Sequence, residues 1–208
     1  MLAENVNKND PNMILPTGDI AKNLRSSGLV LIAGVDEAGA GALAGPVVAG
    51  AVILPENHGL AVRDSKLMTS KARDRMFDEI HLAAISIGIG IVDATVIDEI
   101  NIREASLLAM EKAVSELEEV EHVLVDAHTI NIDSPQTAII KGDQKEFCIA
   151  AASIIAKVTR DRMMLKLETE FPQYGFAKHK GYGTVQHRQA VADHGRISAH
   201  RASFTISI

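Results

Sequence analysis

Cysteine occurs once in this 208-residue chain, tryptophan not at all, and the aromatics are five Phe and two Tyr. A lone Cys148 excludes an intramolecular disulfide and fits a reducing compartment such as the cytoplasm. Cys148 itself reads as a small buried hydrophobe rather than a nucleophile. No apolar run approaches the ~20 residues that span a bilayer. No basic-then-apolar segment opens the chain, so neither a membrane nor a secretory route is expected. His and Cys never pair at zinc-like spacing, which disfavours a soft-metal centre. Internal repeats and low-complexity stretches are also missing. What remains is ordinary globular material, 47% hydrophobic and 23% charged, enough for one domain with a sizeable core.

Positive charge is scarce overall, with 21 Lys and Arg against 27 Asp and Glu. Its distribution is uneven. Residues 141–208 hold 11 basic and 6 acidic residues, whereas residues 1–140 hold 10 and 21. The same C-terminal third carries His179, His187, His194 and His200, and from Phe171 onward it holds five of the seven Phe and Tyr residues. A basic, aromatic-containing third beside an acidic body suits a phosphate-backbone binder. It equally suits a solvated basic face over a few core aromatics.

Residues 1–28 are polar and read as an N-terminal extension, mostly loop. Leu29–Glu37 and Val47–Leu54 are apolar and β-branched, and predict two strands joined as a hairpin. Thr69 is a candidate N-cap for a helix to about Ala84. Ile85, Ile87, Ile89 and Ile91 alternate with small residues, a third strand. A short helix is expected over Ala94–Ile100 and a longer one over Arg103–Glu119. Val123–Asp126 and Thr137–Ile140 are short strand signals. Glu146–Phe171 is the longest helical stretch, apolar in its first half and stopped by Pro172. Phe176–Gly183 reads as a basic loop and Val185–Asp193 as a last helix. The order predicts an α/β fold: an antiparallel meander extended by parallel strands joined through helices. The expected division is a 1–28 extension, a 29–171 α/β domain and a 172–208 basic helical segment.

Three strand ends carry carboxylates: Asp36-Glu37, Asp126 and Asp143. Singly, each reads as an ordinary turn residue. Together they resemble a hard-cation site, because Mg²⁺ takes one or two carboxylates and completes its shell with water or phosphate oxygens. Two such ions about 4 Å apart can activate water and stabilise the leaving oxygen of a phosphodiester. Neighbouring side chains on a regular strand point to opposite faces. Asp36 and Glu37 therefore share a site only where the strand twists or ends, which Gly34 and Gly39 permit. Glycines also let a ligand approach the backbone beside them.

The chain resembles the ribonuclease HII family, the type 2 ribonuclease H of bacteria, from about Val30 to Phe204. The resemblance rests on Gly-Val-Asp36-Glu37-Ala-Gly, Leu-Ala-Gly45-Pro46-Val-Val, Asp64-Ser65-Lys66, Val125-Asp126 and Lys141-Gly142-Asp143. It continues through Ala-Ala-Ser153-Ile-Ile-Ala-Lys157-Val-Thr-Arg160-Asp161, Gly181-Tyr182-Gly183-Thr184 and His200-Arg201-Ala-Ser203-Phe204, all in the family's order. It implies a ribonuclease H-like mixed sheet flanked by helices. The implied activity is cleavage of the RNA strand of RNA–DNA hybrids and incision at single ribonucleotides in duplex DNA, leaving 3′-hydroxyl and 5′-phosphate ends. The implied metal ligands, for Mg²⁺ or Mn²⁺, are Asp36, Glu37, Asp126 and Asp143. Tyr182 would stack on the sugar at the RNA–DNA junction. The backbone of Gly39-Ala40-Gly41 would read the 2′-hydroxyl. Lys66, Lys157, Arg160 and Lys180 are candidate phosphate contacts, although Lys157 and Arg160 could instead pair with helix carboxylates. A monomer is expected. Neither metal preference nor a sliding-clamp contact can be read.

The chain departs from the family pattern where Ala40 and Ala42 replace the usual Arg and Pro of Gly-Arg-Gly-Pro. Backbone recognition survives such a change, but a forked cationic donor near a phosphate is lost, and loss of the proline loosens the loop. An alternative expectation is therefore a hybrid-binding homologue with impaired catalysis. Ala127 is a lesser departure, at a position where the family commonly has Gly.

Overall fold

The computed structural model describes residues 15–62, 65 and 68–207. Five strands form one sheet: β1 (Ile32–Ala38), β2 (Val47–Ile53), β3 (Ser86–Val92), β4 (His122–Asp126) and β5 (Gln136–Ile139). The order across the sheet is β3-β2-β1-β4-β5. β1–β2 and β2–β3 are antiparallel, and β1–β4 and β4–β5 are parallel. This is the mixed sheet that the strand order predicts.

The helices are α1 (Asp19–Ser26), α2 (Ser70–Ala83), α3 (Ala94–Ile100), α4 (Ile102–Ser115), α5 (Phe147–Glu170), α6 (Phe176–His179) and α7 (Val185–His194). α4 and α5 cover opposite faces of the sheet. Glycines set how closely they lie. A Cβ on Gly34 of β1 would sit 2.1 Å from the Cys148 carbonyl carbon of α5, and one on Gly90 of β3 would sit 1.8 Å from the Ala109 oxygen of α4. Ala33, Val35, Val123 and Val125 fill the α4 face, and Ile32 and Leu124 meet Cys148 and Ile149 on the α5 face. Among the described residues no helix is long and apolar enough to cross a membrane.

Four element boundaries differ from expectation, the first three for a physical reason in the hydrogen bonding. Residues 19–26, read as loop, form α1, because buried Glu146 accepts the Ile20 and Ala21 amides at 2.9 and 3.2 Å and so caps the helix from 126 residues away. β1 starts at Ile32 rather than Leu29, because the amides of Val30 and Leu31 donate to Glu121 instead of to a strand. α4 ends at Ser115, whose hydroxyl bonds back to the Lys112 carbonyl at 2.8 Å and competes with helix continuation. The predicted loop 176–183 opens with the single helical turn α6. Thr69 caps α2 as expected, accepting the Ala72 amide at 3.2 Å.

Candidate active site

The sheet register brings the first carboxylates together. Val35 of β1 pairs with Val125 of β4, so the next residues, Asp36 and Asp126, are neighbours at the end of that ladder. Alternation decides where they point. Asp36 shares its face with Gly34, and Asp126 with Leu124, so both lie on the α5 side. Glu37 has the parity of Ala33 and Val35, the α4 side, but it is the second-last residue of β1 and the left-handed Gly39 follows (φ 96°). The β2 ladder still includes Glu37 and Ala38, paired with Ala49 and Val48, so the backbone leaves strand geometry only after Ala38, and Glu37 acts on Asp36 through its negative charge. Asp143 lies in a 3₁₀ turn after β5. The amide of adjacent Gly142 donates to Asp126 Oδ1 at 2.6 Å, which ties that turn to β4.

Asp36 is the electrostatic centre of this group. Burial is the main cause that pushes its carboxyl well above the ordinary range, and the negative charges of Glu37 and Asp126 push it the same way. Hydrogen bonds from the Ser153 hydroxyl and the Glu37 amide oppose the shift without cancelling it. Ser153 lies within α5 and its hydroxyl is 3.0 Å from that of Ser65, both side chains being buried. A buried carboxylate repelled by like charges, in an all-oxygen donor set, fits a hard divalent cation. Among the described residues no three His, Cys, Asp or Glu side chains form a preformed ion cage; Glu37 and Asp126 act electrostatically on Asp36, and the turn that carries Asp143 is tied to Asp126 through the Gly142 amide.

Beside them, the turn from Gly39 to Pro46 is held from beneath by two fully buried guanidiniums. Arg201 donates to the carbonyls of Gly39 (2.8 Å), Ala40 (2.8 Å) and Gly45 (3.0 and 3.1 Å). Arg160 donates to Ala44 (3.1 Å), Pro46 (2.9 Å) and Lys180 (2.9 Å). Because these carbonyls face inward, the loop's outer edge is left to amides and small side chains. Gly39 cannot be replaced here, since a Cβ would lie 2.0 Å from Arg160 Nε, whereas Gly41 faces open space.

Tyr182 completes the surface. Ala42 and Tyr182 form an antiparallel bridge, and the Leu43 amide donates to the Gly181 carbonyl at 2.8 Å. The Tyr182 ring is partly exposed, with Lys157 Nζ 5.8 Å and the Arg160 guanidinium carbon 5.3 Å from its centroid. Lys157 also pairs with Asp161 at 2.7 Å. The expectation that Arg160 contacts phosphate is corrected: its side chain is sealed beneath the two loops and satisfied by carbonyls, so it reaches a ligand only through them. Lys180 adopts left-handed backbone (φ 50°), and its ammonium donates to the Ala177 carbonyl. Lys66 and Asp64 lie outside the described residues.

Sequence reasoning passed over Arg201, Ser153 and Ser65 as site residues, although each stands inside a quoted motif. Ala127, directly after Asp126, has φ 57°. Left-handed backbone costs a non-glycine residue about 1–2 kcal/mol, and added glycine flexibility in the unfolded chain returns roughly 0.4–1 kcal/mol of that. Ala127→Gly is therefore expected to stabilise the fold by about 0.5–1 kcal/mol, read as a rise in the urea midpoint. A fall in the midpoint would show that the strain is absent.

The geometry agrees with what the chain is similar to. The family model for ribonuclease HII matches residues 33–207. Ribonuclease HII of Bacillus subtilis strain 168 is 53% identical over 182 residues, covering 86% of this chain and 71% of the relative. Two archaeal structures superpose at 26% identity. Ribonuclease H2 of Pyrococcus horikoshii has a TM-score of 0.72, covering 83% of this chain and 93% of that one. The ribonuclease HII of Archaeoglobus fulgidus, solved in complex with PCNA, has a TM-score of 0.74 and covers 86% and 97%.

Proposed function

This chain belongs to the ribonuclease HII family, and we propose that beyond the family's hydrolysis of RNA–DNA hybrids it incises duplex DNA at single ribonucleotides. The ribonuclease H activity and its metal dependence are properties of the family. The finer reading rests on one observation, the Ala42–Tyr182 bridge. It makes the glycine loop and the exposed ring one surface, continuous with the strand that carries Asp36 and Glu37.

In this reading Asp36, Glu37, Asp126 and Asp143 hold Mg²⁺ or Mn²⁺, which when bound supply Lewis-acid activation of water and of the scissile phosphate. The outward edge of Gly39-Ala40-Gly41 meets the 2′-hydroxyl through main-chain groups. The Tyr182 ring lies flat against the following deoxyribose, where a second 2′-hydroxyl would crowd it and slow cleavage without barring it. Lys157, beside that ring, faces the phosphate backbone. No side chain acts as nucleophile, and the products carry 3′-hydroxyl and 5′-phosphate ends. The test is cleavage of three duplexes: one with a single ribonucleotide in DNA, a uniform RNA–DNA hybrid, and all-DNA. Cutting of the first two with Mg²⁺ or Mn²⁺ is expected. Cutting of the uniform hybrid alone would overturn the incision reading.

The alternative, impaired catalysis, turns on Ala40 and Ala42. Arg160 and Arg201 hold this loop by its carbonyls, which do not depend on those two side chains. Ala40→Arg is therefore expected to leave turnover at saturation within about threefold while adding about one unit to the salt slope of binding, the contribution of one phosphate contact. A gain of tenfold or more in kcat would favour the impaired reading instead.

A further inference from the structure

Behind Tyr182 lies a buried group of three histidines, His179, His187 and His200, packed with Tyr174 and Phe176. None belongs to the site described above. Their hydrogen bonds fix every ring proton. The Ile197 amide can only donate, and it points at His200 Nδ1 at 3.0 Å. A neutral His200 must then carry its proton on Nε2, which lies 3.1 Å from His187 Nε2. His187 Nε2 therefore accepts, and its own proton sits on Nδ1. That nitrogen lies 3.0 Å from the Tyr182 carbonyl, which can only accept. Both ends of the chain, read separately, demand the same direction. His179 does the same in parallel: it accepts the Gly181 amide at Nδ1 (3.2 Å) and donates from Nε2 to the Tyr174 carbonyl (2.8 Å). Its ring stacks on that of His187, with centroids 4.5 Å apart.

We propose that His187, with His200 behind it, is a positioning residue for Tyr182, a one-way relay of neutral imidazoles that sets the angle at which the ring meets the ribonucleotide junction. The proposal rests on the reading of Tyr182 given above. Two observations separate this role from plain core packing. The Tyr182 carbonyl already accepts the Thr184 amide at 2.8 Å, so the second donor is not required for satisfaction and adds direction instead. The relay also reaches both sides of the loop–ring bridge, since Ala44 pairs with His200 just as Ala42 pairs with Tyr182. The protonation states agree. Burial pushes all three rings below the ordinary imidazole range, His200 to about 4. A second proton on either His187 or His200 would set N–H against N–H and break the relay.

The experiment compares the single-ribonucleotide duplex with the uniform hybrid, measuring kcat and KM separately for His187→Leu, His187→Asn, Tyr182→Ala and the His187→Leu/Tyr182→Ala pair. His187→Leu should lower kcat on the single-ribonucleotide duplex by about tenfold to a hundredfold, the scale of a 1 Å misplacement, with a much smaller change on the hybrid. His187→Asn keeps an N–H donor near the Nδ1 position and should restore most of the loss. In the pair, the substrate ratio should equal that of Tyr182→Ala alone. If Tyr182→Ala leaves the ratio unchanged, the reading of Tyr182 fails. If Tyr182→Ala shifts the ratio and His187→Leu does not, or the two losses multiply, the relay fails. Ring ¹⁵N chemical shifts of the unmodified protein test the same claim without a variant. Protonated Nδ1 on His187 and protonated Nε2 on His200 are expected, and the opposite tautomer on either overturns the proposal.

Discussion

Asp36→Asn is expected to abolish cleavage and, in ion-free buffer, to raise the melting temperature. The two effects share one cause. Asp36 is buried, and Glu37 and Asp126 add like charge, so its ionised form is disfavoured in the fold. Asparagine keeps an oxygen for the Glu37 amide (2.8 Å in the parent) and removes the charge. Each kcal/mol recovered is worth about 2–4 °C in a chain of this size. Cleavage should fall by about 10³-fold or more, at least ~4 kcal/mol of barrier, if Asp36 holds the cation as proposed. Adding Mg²⁺ separates the two effects. At a hundredfold excess over Kd a bound ion stabilises the parent by about 2.7 kcal/mol, roughly 5–10 °C, and should barely move the variant. Retained cleavage would remove Asp36 from the site. A fall in the ion-free melting temperature would show that its charge is compensated within the protein.

What could be read from the sequence was local and periodic. β3 was visible in the alternation of Ile87, Ile89 and Ile91 with Gly88 and Gly90, and the same glycines mark where α4 lies close. Asp36 and Asp126 could be picked out because each follows an apolar run, and the strand pairing then makes them neighbours. The rest depends on partners distant in sequence. Arg160 looks like the point where a buried helix turns polar, and only the fold reveals carbonyls 114 and 116 residues away that satisfy it. Backbone acceptors leave no trace in composition, so Arg201 was equally invisible as a loop clamp. α1 had a faint signal in Ile20, Ala21 and Leu24, but its cap, Glu146, comes from the start of α5. The histidines were counted as positive character in a basic third. Burial keeps three of them neutral, so their contribution is hydrogen-bond direction rather than charge.

Arg201→Met is expected to cost the most stability of any single change considered, and the reason lies in its partners. The guanidinium makes four hydrogen bonds to three main-chain carbonyls. Burial and the nearby Arg160 charge lower its pKa to about 10, so it remains a cation at neutral pH and each bond is charge-assisted. Methionine fills much of the same volume but orphans the Ala40 and Gly45 carbonyls, at about 1–3 kcal/mol for each that water cannot reach, and leaves the Gly39 carbonyl with only the Ala42 amide (3.2 Å). Relief from burying a charge near Arg160 offsets part of this, leaving a net loss of about 3–5 kcal/mol. Arg201→Lys should fare little better, because one ammonium cannot span three carbonyls that a planar fork bridges. The urea midpoint reports the loss, with an unchanged slope showing that the unfolded state is not the cause. A loss under about 1 kcal/mol for Met would mean that the loop holds its shape without the clamp. Where the loop yields instead, cleavage of the single-ribonucleotide duplex should fall further than cleavage of the uniform hybrid. The clamp grips Gly39 and Ala40, the edge proposed to read an isolated 2′-hydroxyl, whereas a uniform hybrid offers a 2′-hydroxyl in every register.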